Sequence, residues 1–386
     1  VLYDLRIPSP LFDSKAVGYI IELERLKERT LFGSTYPDIF FQIKTVFHLL
    51  ESLGSARIEG NRTTIDELVE ATINGEQDST ESLREISNIE DAMSWIENVF
   101  RTSSSKQIDE DFLLELHRLT VKNLRSPVEG GEGDVKPGAF RSNAVSIKGA
   151  QHTPPSPFEL PRLIEEFVDF INQPADSRYD LLRIAIAHHR FEYIHPFRNG
   201  NGRVGRLLTY AMLVRAGFKV DEGRILNPSA VFCNDRSAYM AALSHADSGT
   251  DEALLSWCEF VLGGLQTEIV KIDRLLNRHV IEGEVLLPAL DLAKERGNIS
   301  RQEWQILRAV QVEQIADAGL FKRFYPGKSP ASVSQVIARF KKHGLIRSTP
   351  NENSRKYIVN YLGKDLLRPL VSKIDEAGFL PIRREP

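Results

Sequence analysis

Twelve residues, His195-Pro-Phe-Arg-Asn-Gly-Asn-Gly-Arg-Val-Gly-Arg206, bring one imidazole, a glycine-rich turn and two guanidiniums together. Imidazole is the side chain best suited to take a proton from a hydroxyl near neutral pH. A helix opening at Asn201 or Gly202 turns free N–H groups and the positive end of its dipole toward an anion, with little side-chain bulk in the way. Arg203 and Arg206, three apart, share one side of that first turn and reach the same polyanion. These parts describe phosphate binding beside a proton acceptor. A plain turn between core helices has no need for all of them.

The elements that hold this stretch are helical. Before it, Tyr179–Ile194 is apolar at helical spacing (Leu182, Ile186 and Phe191 among others). After it, Val204, Leu207, Leu208, Ala211, Met212 and Val214 recur at three- and four-residue steps up to Gly217. His188 and His189 beside His195 lack the i, i+4 spacing with a glutamate that marks a zinc helix. Glu192 reads as a solvated or capping residue, and His117 as a surface or core residue of a scaffold helix.

The stretch resembles the signature of the Fic family, His-Pro-Phe-x-(Asp/Glu)-Gly-Asn-Gly-Arg-x-x-Arg, and departs from it only at Asn199. The resemblance implies a mainly α fold: a helical Fic core with a short β-hairpin flap. It implies a protein adenylyltransferase that moves AMP from ATP to a Ser, Thr or Tyr hydroxyl of a target protein, or of the chain itself. His195 would be the base. Gly200, Asn201, Gly202, Arg203, Val204, Gly205 and Arg206 would hold the phosphates, with Mg²⁺ or Mn²⁺ as cofactor. The family's acid binds that metal, and an uncharged Asn199 in its place weakens the site. Pro196 stiffens the turn and Phe197 anchors it.

The resemblance extends over roughly residues 35–265. Ser55, Glu59 and Gly60 match the family's inhibitory motif, (Ser/Thr)-x-x-x-Glu-(Gly/Asn), at the end of a helical pattern over Ile39–Ile58. Glu59 would pair with Arg206 and occupy the space of the γ-phosphate. Thr64 and Glu67 then form a capping box. Phe140–Gly149 alternates around Val145 and Ile147 and reads as the flap, whose Val145, Ser146, Ile147 and Lys148 would hold the target segment by strand addition. His152 beside it reads as a structural hydrogen-bonding residue. Tyr239 matches the nucleoside pocket, and Asp247 replaces its usual Asn.

The chain has 386 residues and a net charge of −4, with 26% charged and 42% hydrophobic residues, the profile of a globular protein of two or three domains. No apolar run approaches membrane-spanning length and the start lacks a signal pattern, so no membrane partner is expected. Two cysteines make no disulfide framework and suit a reducing cytoplasm. The expected layout is an N-terminal helical region (1–100) with the inhibitory helix at about 39–60, a core over 101–265, a linker helix over 266–290 and a C-terminal unit over 291–386. Leu265–Gly283 reads as the charged linker helix. Beyond it, helices over Glu303–Ala318 and Ala331–Lys342, then alternation over Leu345–Ile358, form a winged helix-turn-helix pattern. Lys294–Asn360 carries 13 Lys/Arg against 5 Asp/Glu. Arg339, Lys341, Lys342, Arg355 and Lys356 would face the phosphates of DNA if the unit binds it, and a winged helix serves protein contacts as readily. Rival functions are a hydrolase that removes AMP with Glu59 aligning a water, a DNA-binding regulator that senses nucleotide, and phosphoryl transfer with the nucleotide reversed. A homodimer through the N-terminal helices is also compatible with the sequence.

Overall fold

In a computed structural model the apolar repeats described above become, among the described residues, seventeen α-helices and one two-stranded hairpin. It describes residues 4–28, 36–147, 152–173, 177–218, 226, 228–349, 355–380 and 382. In chain order the first helices are α1 (Lys15–Glu28), α2 (Pro37–Ile58), α3 (Ile65–Asn74), α4 (Glu81–Thr102), α5 (Glu110–Thr120) and α6 (Leu160–Asn172). There follow α7 (Asp180–Ile194), α8 (Asn201–Arg215), α9 (Pro228–Cys233), α10 (Arg236–Ala246) and α11 (Asp251–Asp273). Capping chemistry sets many of the starts. Thr64 accepts from the Glu67 N–H while the Glu67 carboxylate takes the Thr64 N–H, the box expected from the sequence. Thr80, Asp109, Asp235 and Thr250 each accept from a backbone N–H at the start of α4, α5, α10 and α11.

The centre of the molecule is α2. Even its polar residues Gln42, Lys44, His48, Glu51, Ser52 and Ser55 are buried, because neighbours surround it. Beyond its first turns, where Pro37 and Phe41 are exposed, the helix is covered on nearly every side and belongs to the core rather than to a surface layer. It packs against α4, α8 and α9, while α7 and α8 lie side by side and α1 rests on α11. The carboxylate of Glu97 on α4 bonds Lys44 of α2 at 2.7 Å and the Tyr210 hydroxyl of α8 at 2.5 Å, joining three helices.

Three segments differ from the sequence reading. The flap hairpin is not formed among the described residues: 140–147 has no strand pairing, and Lys148 and Gly149 lie outside those residues. At its start the Arg141 N–H donates to the Pro196 carbonyl at 2.9 Å. No separate linker helix begins at Leu265. The stripe Leu262, Leu265, Ile269 and Ile272 stays buried, so α11 continues unbroken to Asp273. Finally, Glu303–Ala318 is not one helix. Gln314 adopts φ 63° and Asp317 caps a new helix, which leaves Ala316 extended to bridge Tyr357.

The C-terminal part comprises α12 (Arg278–Val280), α13 (Leu287–Glu295), α14 (Arg301–Glu313), α15 (Ala318–Arg323) and α16 (Pro330–Lys342). Then come β1 (Ile346–Ser348), β2 (Tyr357–Val359) and α17 (Leu367–Glu376). The strands are antiparallel, with Ile346 opposite Val359 and Ser348 opposite Tyr357. This part is fastened to α2. The Gln42 side chain donates to the Val359 carbonyl at 3.0 Å and accepts from the Tyr361 N–H at 2.8 Å, continuing the edge of β2 like a short strand.

Candidate active site

The turn between α7 and α8 is held by its own residues. His195 ends α7 at φ 50° and Gly200 precedes α8 at φ 78°, so the chain reverses through two left-handed residues. Asn201 closes the loop: its side chain accepts from the Phe197 N–H at 2.8 Å and donates to the Phe197 carbonyl at 2.9 Å. The amide is therefore committed to the loop, not presented to phosphate as the sequence suggested. Phe197 is fully buried and stacks on His117 at 3.9 Å, as an anchor should.

Arg206 does not point into open space. Its Nε donates to Ser55 Oγ at 2.8 Å, and its Nη2 donates to the Ser55 carbonyl at 3.0 Å and to Glu59 Oε1 at 2.8 Å. The end of α2 thus closes over the start of α8. A Cβ on Gly202 would lie 2.1 Å from Glu59 Oε1, so the carboxylate occupies the space that the missing side chain leaves. Burial alone would raise the Glu59 carboxyl, but Arg206, Arg203 and His195 outweigh it and hold the group below the ordinary carboxylate range. Gly60 follows at φ 106° and lets the chain turn away directly after the acid.

Arg203 is also claimed by acids. Its Nη1 stands 2.8 Å from Glu85 Oε1, off hydrogen-bond geometry, and its Nη2 donates to the Glu132 carbonyl at 2.6 Å. Val204 is buried behind it, and Gly205 leaves room on the far side for another carboxylate: a Cβ there would lie 2.3 Å from Glu192 Oε1. Glu192 is not the solvated residue the sequence suggested. It is 8% exposed, and burial pushes its carboxyl up to about 8 although Arg206 pulls it down. Burial pushes the His195 imidazole down to about 4, so the ring is neutral at neutral pH, and its Nδ1 lacks a hydrogen-bond partner among the described residues.

Tyr239 and Asp247, from either end of α10, meet α7. Tyr239 is buried with its hydroxyl 3.1 Å from His188 Nε2, and Asp247 Oδ1 is 3.1 Å from His189 Nε2. Of the expected flap residues, Val145 and Ile147 are half-buried and Ser146 is exposed, which keeps the expected alternation. A cleft of about 190 Å³ lies beside this segment, lined by Asp134, Lys136, Phe140, Val145 and Arg198 among others.

Residues 107–213 match the Fic/DOC family. This chain contains a Fic/DOC domain. Protein adenylyltransferase Fic of Drosophila willistoni is 32% identical over 206 residues, which is 52% of this chain and 37% of that protein. The Drosophila melanogaster protein of the same name is 32% identical over 208 residues, with the same shares. The chain thus spans little more than a third of these relatives. Among solved structures, a Fic family protein from Desulfovibrio desulfuricans superposes with a TM-score of 0.56 at 19% identity, covering 92% of this chain and 98% of that one. A Fic domain containing signaling protein from Bacteroides thetaiotaomicron gives 0.53 at 20% identity, over 68% of this chain and 98% of that one.

Within the Fic domain, sequence reasoning missed the braces of the turn. Arg141 is buried and its guanidinium donates to the carbonyls of His195 (2.8 Å), Pro155 (2.7 Å) and Ile194 (3.3 Å). His117 lies against the Asn199 carbonyl at 3.2 Å and accepts from the Gly138 N–H at 3.0 Å. One side chain amid alternating residues carries no mark of such a role, and only the partners' proximity reveals it. His152 lies 2.7 Å from the Tyr193 carbonyl, in keeping with a structural part.

The metal expected of the domain fits poorly at Asn199. Its Oδ1 accepts from the Gly200 N–H at 2.8 Å and its Nδ2 donates to the Gly133 carbonyl at 3.1 Å. The nearby carboxylate of Asp134 is buried and already accepts from the Asn199 and Lys136 N–H groups. The described residues contain no group of three His, Cys, Asp or Glu arranged for a metal ion. The polar groups that surround the turn are instead the guanidiniums of Arg203 and Arg206, held by Glu85, Ser55 and Glu59.

Proposed function

We propose that this chain is a self-restrained protein adenylyltransferase. One observation carries the reading: the Arg206 guanidinium, at the start of the signature helix and beside a neutral His195, is occupied by Ser55 and Glu59 at 2.8 Å. An anion site filled by a charged side chain of the same protein is an inhibited anion site. The fly relatives bear the name of this activity.

In this reading ATP takes the place of the Glu59 carboxylate, with its terminal phosphates on Arg206, Arg203 and the backbone N–H groups that open α8. His195 takes the proton from a target hydroxyl. The oxygen attacks the α-phosphorus, the bond to the bridging oxygen breaks, and pyrophosphate leaves with the electron pair. The guanidiniums and N–H groups hold the charge that develops on it. The target segment lies along 145–147, and Tyr239 with Asp247 flank the nucleoside. While Glu59 stays on Arg206 the triphosphate cannot settle, and a misplacement near 1 Å costs roughly a hundredfold in rate.

The test compares wild type, Glu59→Gly and His195→Ala with ATP labelled at the α- or the γ-phosphorus, reading label on the chain itself. Alpha label on Glu59→Gly, absent from His195→Ala, is expected. Gamma label would establish phosphoryl transfer instead. Failure of Glu59→Gly to label, together with AMP release from a pre-modified target by wild type alone, would establish the hydrolase.

A further inference from the structure

Between Asp317 and Glu352 the chain has seven Lys/Arg and no acidic residue, a run that spans α15, α16 and β1. On α16 the residues Val333, Ile337 and Phe340 face inward, while Gln335, Arg339 and Lys342 are exposed on the outer side. The hairpin lies against the end of this helix: Lys341 Nζ donates to Ser348 Oγ of β1 at 3.0 Å and sits 5.9 Å from the Tyr357 ring of β2. Arg355 and Lys356, which lead into β2, are exposed as well. Helix and hairpin therefore present positive charge together. Of the acids that bound the run, Asp317 caps α15 and Glu352 lies outside the described residues, while Glu313 beyond them pairs with Arg323 at 2.7 Å.

We propose that this face is a docking surface for duplex DNA, and that its occupation acts on α2. A repeating line of phosphates is the chemistry that matches cations spread over a helix and an adjoining hairpin. The exposed stripe of α16 is polar and slender, with Gln335 one turn before Arg339, so the helix can approach base edges while the flanking cations hold the backbone. The route to α2 is β2. Arg355 and Lys356 enter this strand, and its other end is gripped by Gln42 through the Val359 carbonyl and the Tyr361 N–H. Ser55 and Glu59 stand at the far end of the same helix. A duplex that clamps the hairpin steadies β2, and with it α2, and keeps Glu59 on Arg206.

The experiment uses the full chain. Fluorescence anisotropy with a labelled mixed-sequence duplex of about 20 bp reads binding, and the expected affinity falls with salt at a log–log slope of roughly −3 to −5. Arg339→Glu combined with Lys342→Glu, both on the surface, weakens binding by about tenfold or more. No binding by wild type at low salt would overturn the surface, as would unchanged binding after charge reversal, or poly-glutamate competing as well as unlabelled duplex. For the route, a fluorescent ATP analogue is titrated with and without duplex. Saturating duplex is expected to weaken nucleotide binding about twofold or more in wild type. This arm rests on Glu59 competing with ATP, so Glu59→Gly removes the effect while leaving duplex binding intact. If duplex binds wild type without changing nucleotide affinity, while Glu59→Gly binds nucleotide more tightly than wild type, the route through α2 is overturned and the inhibitory reading stands.

Discussion

Replacing Glu59 by glycine removes one carboxylate and disturbs little else. The residue follows the last turn of α2 at φ −83°, a conformation glycine adopts freely, and Gly60 already makes the turn behind it. The lost interaction is a charged hydrogen bond of 2.8 Å whose acid side chain is 32% exposed while its arginine is buried. Such a bond inside a protein is worth about 1.5–3 kcal/mol, and solvent access on the acid side reduces this to roughly 1–2 kcal/mol. ATP must displace that interaction to reach Arg206, so the variant should bind ATP about five to thirty times more tightly. The rate of transfer should rise further, because a triphosphate free to settle on Arg206 also places its α-phosphorus correctly. Isothermal titration with a non-hydrolysable ATP analogue measures the first quantity, and single-turnover self-labelling at saturating ATP measures the second. Glu59→Gln, which keeps the shape and loses the charge, should fall between wild type and Glu59→Gly in both. The reasoning is refuted if the three proteins bind nucleotide equally, since Glu59 would then not compete for Arg206.

Further expectations follow from the buried groups. Burial disfavours the charged form of His195 and pushes it down to about 4, so labelling by Glu59→Gly should stay level from about pH 8 to pH 6 and fall only toward pH 4. A midpoint at the ordinary imidazole value in a pH–rate profile would contradict this. Glu192, pushed up to about 8, favours folding while protonated. Its contribution is full below the unfolded carboxyl value near 4.5 and is lost as pH rises toward 8. Glu192→Gln should therefore gain thermal stability relative to wild type as pH rises through that window, as read by paired melting curves. Gln42→Ala strips partners from the Val359 carbonyl and the Tyr361 N–H, both beside the core. Each such loss costs about 1–3 kcal/mol, so urea unfolding should show roughly 2–6 kcal/mol of destabilisation.

The division between sequence and structure runs along distance in the chain. Local chemistry was legible: α7 and α8 declared themselves by apolar spacing, Thr64 and Glu67 by their capping box, and the start of α8 by Gly200 and Gly202. Each signal lies within a few residues, where backbone geometry alone decides who meets whom. The signature, too, is compact, so His195, Arg203 and Arg206 were readable as one group. What the sequence by itself could not decide was which long-range partners those groups would find. Arg203 and Arg206 share a helical turn, yet one faces Glu85 and the other Ser55 and Glu59, because different helices close over them. Asn201 looked available and is tied to Phe197, while Glu192 looked solvated and is enclosed against Gly205. Residues 140–147 carry no strand pairing, Lys148 and Gly149 of the expected flap lie outside the described residues, and Arg141 ties its N–H and guanidinium to the loop around His195. Gln42 holds a strand more than three hundred residues away. Burial and ion pairing are set by packing between segments remote in sequence, so the kinds of chemistry were present in the residues, and the fold chose their partners.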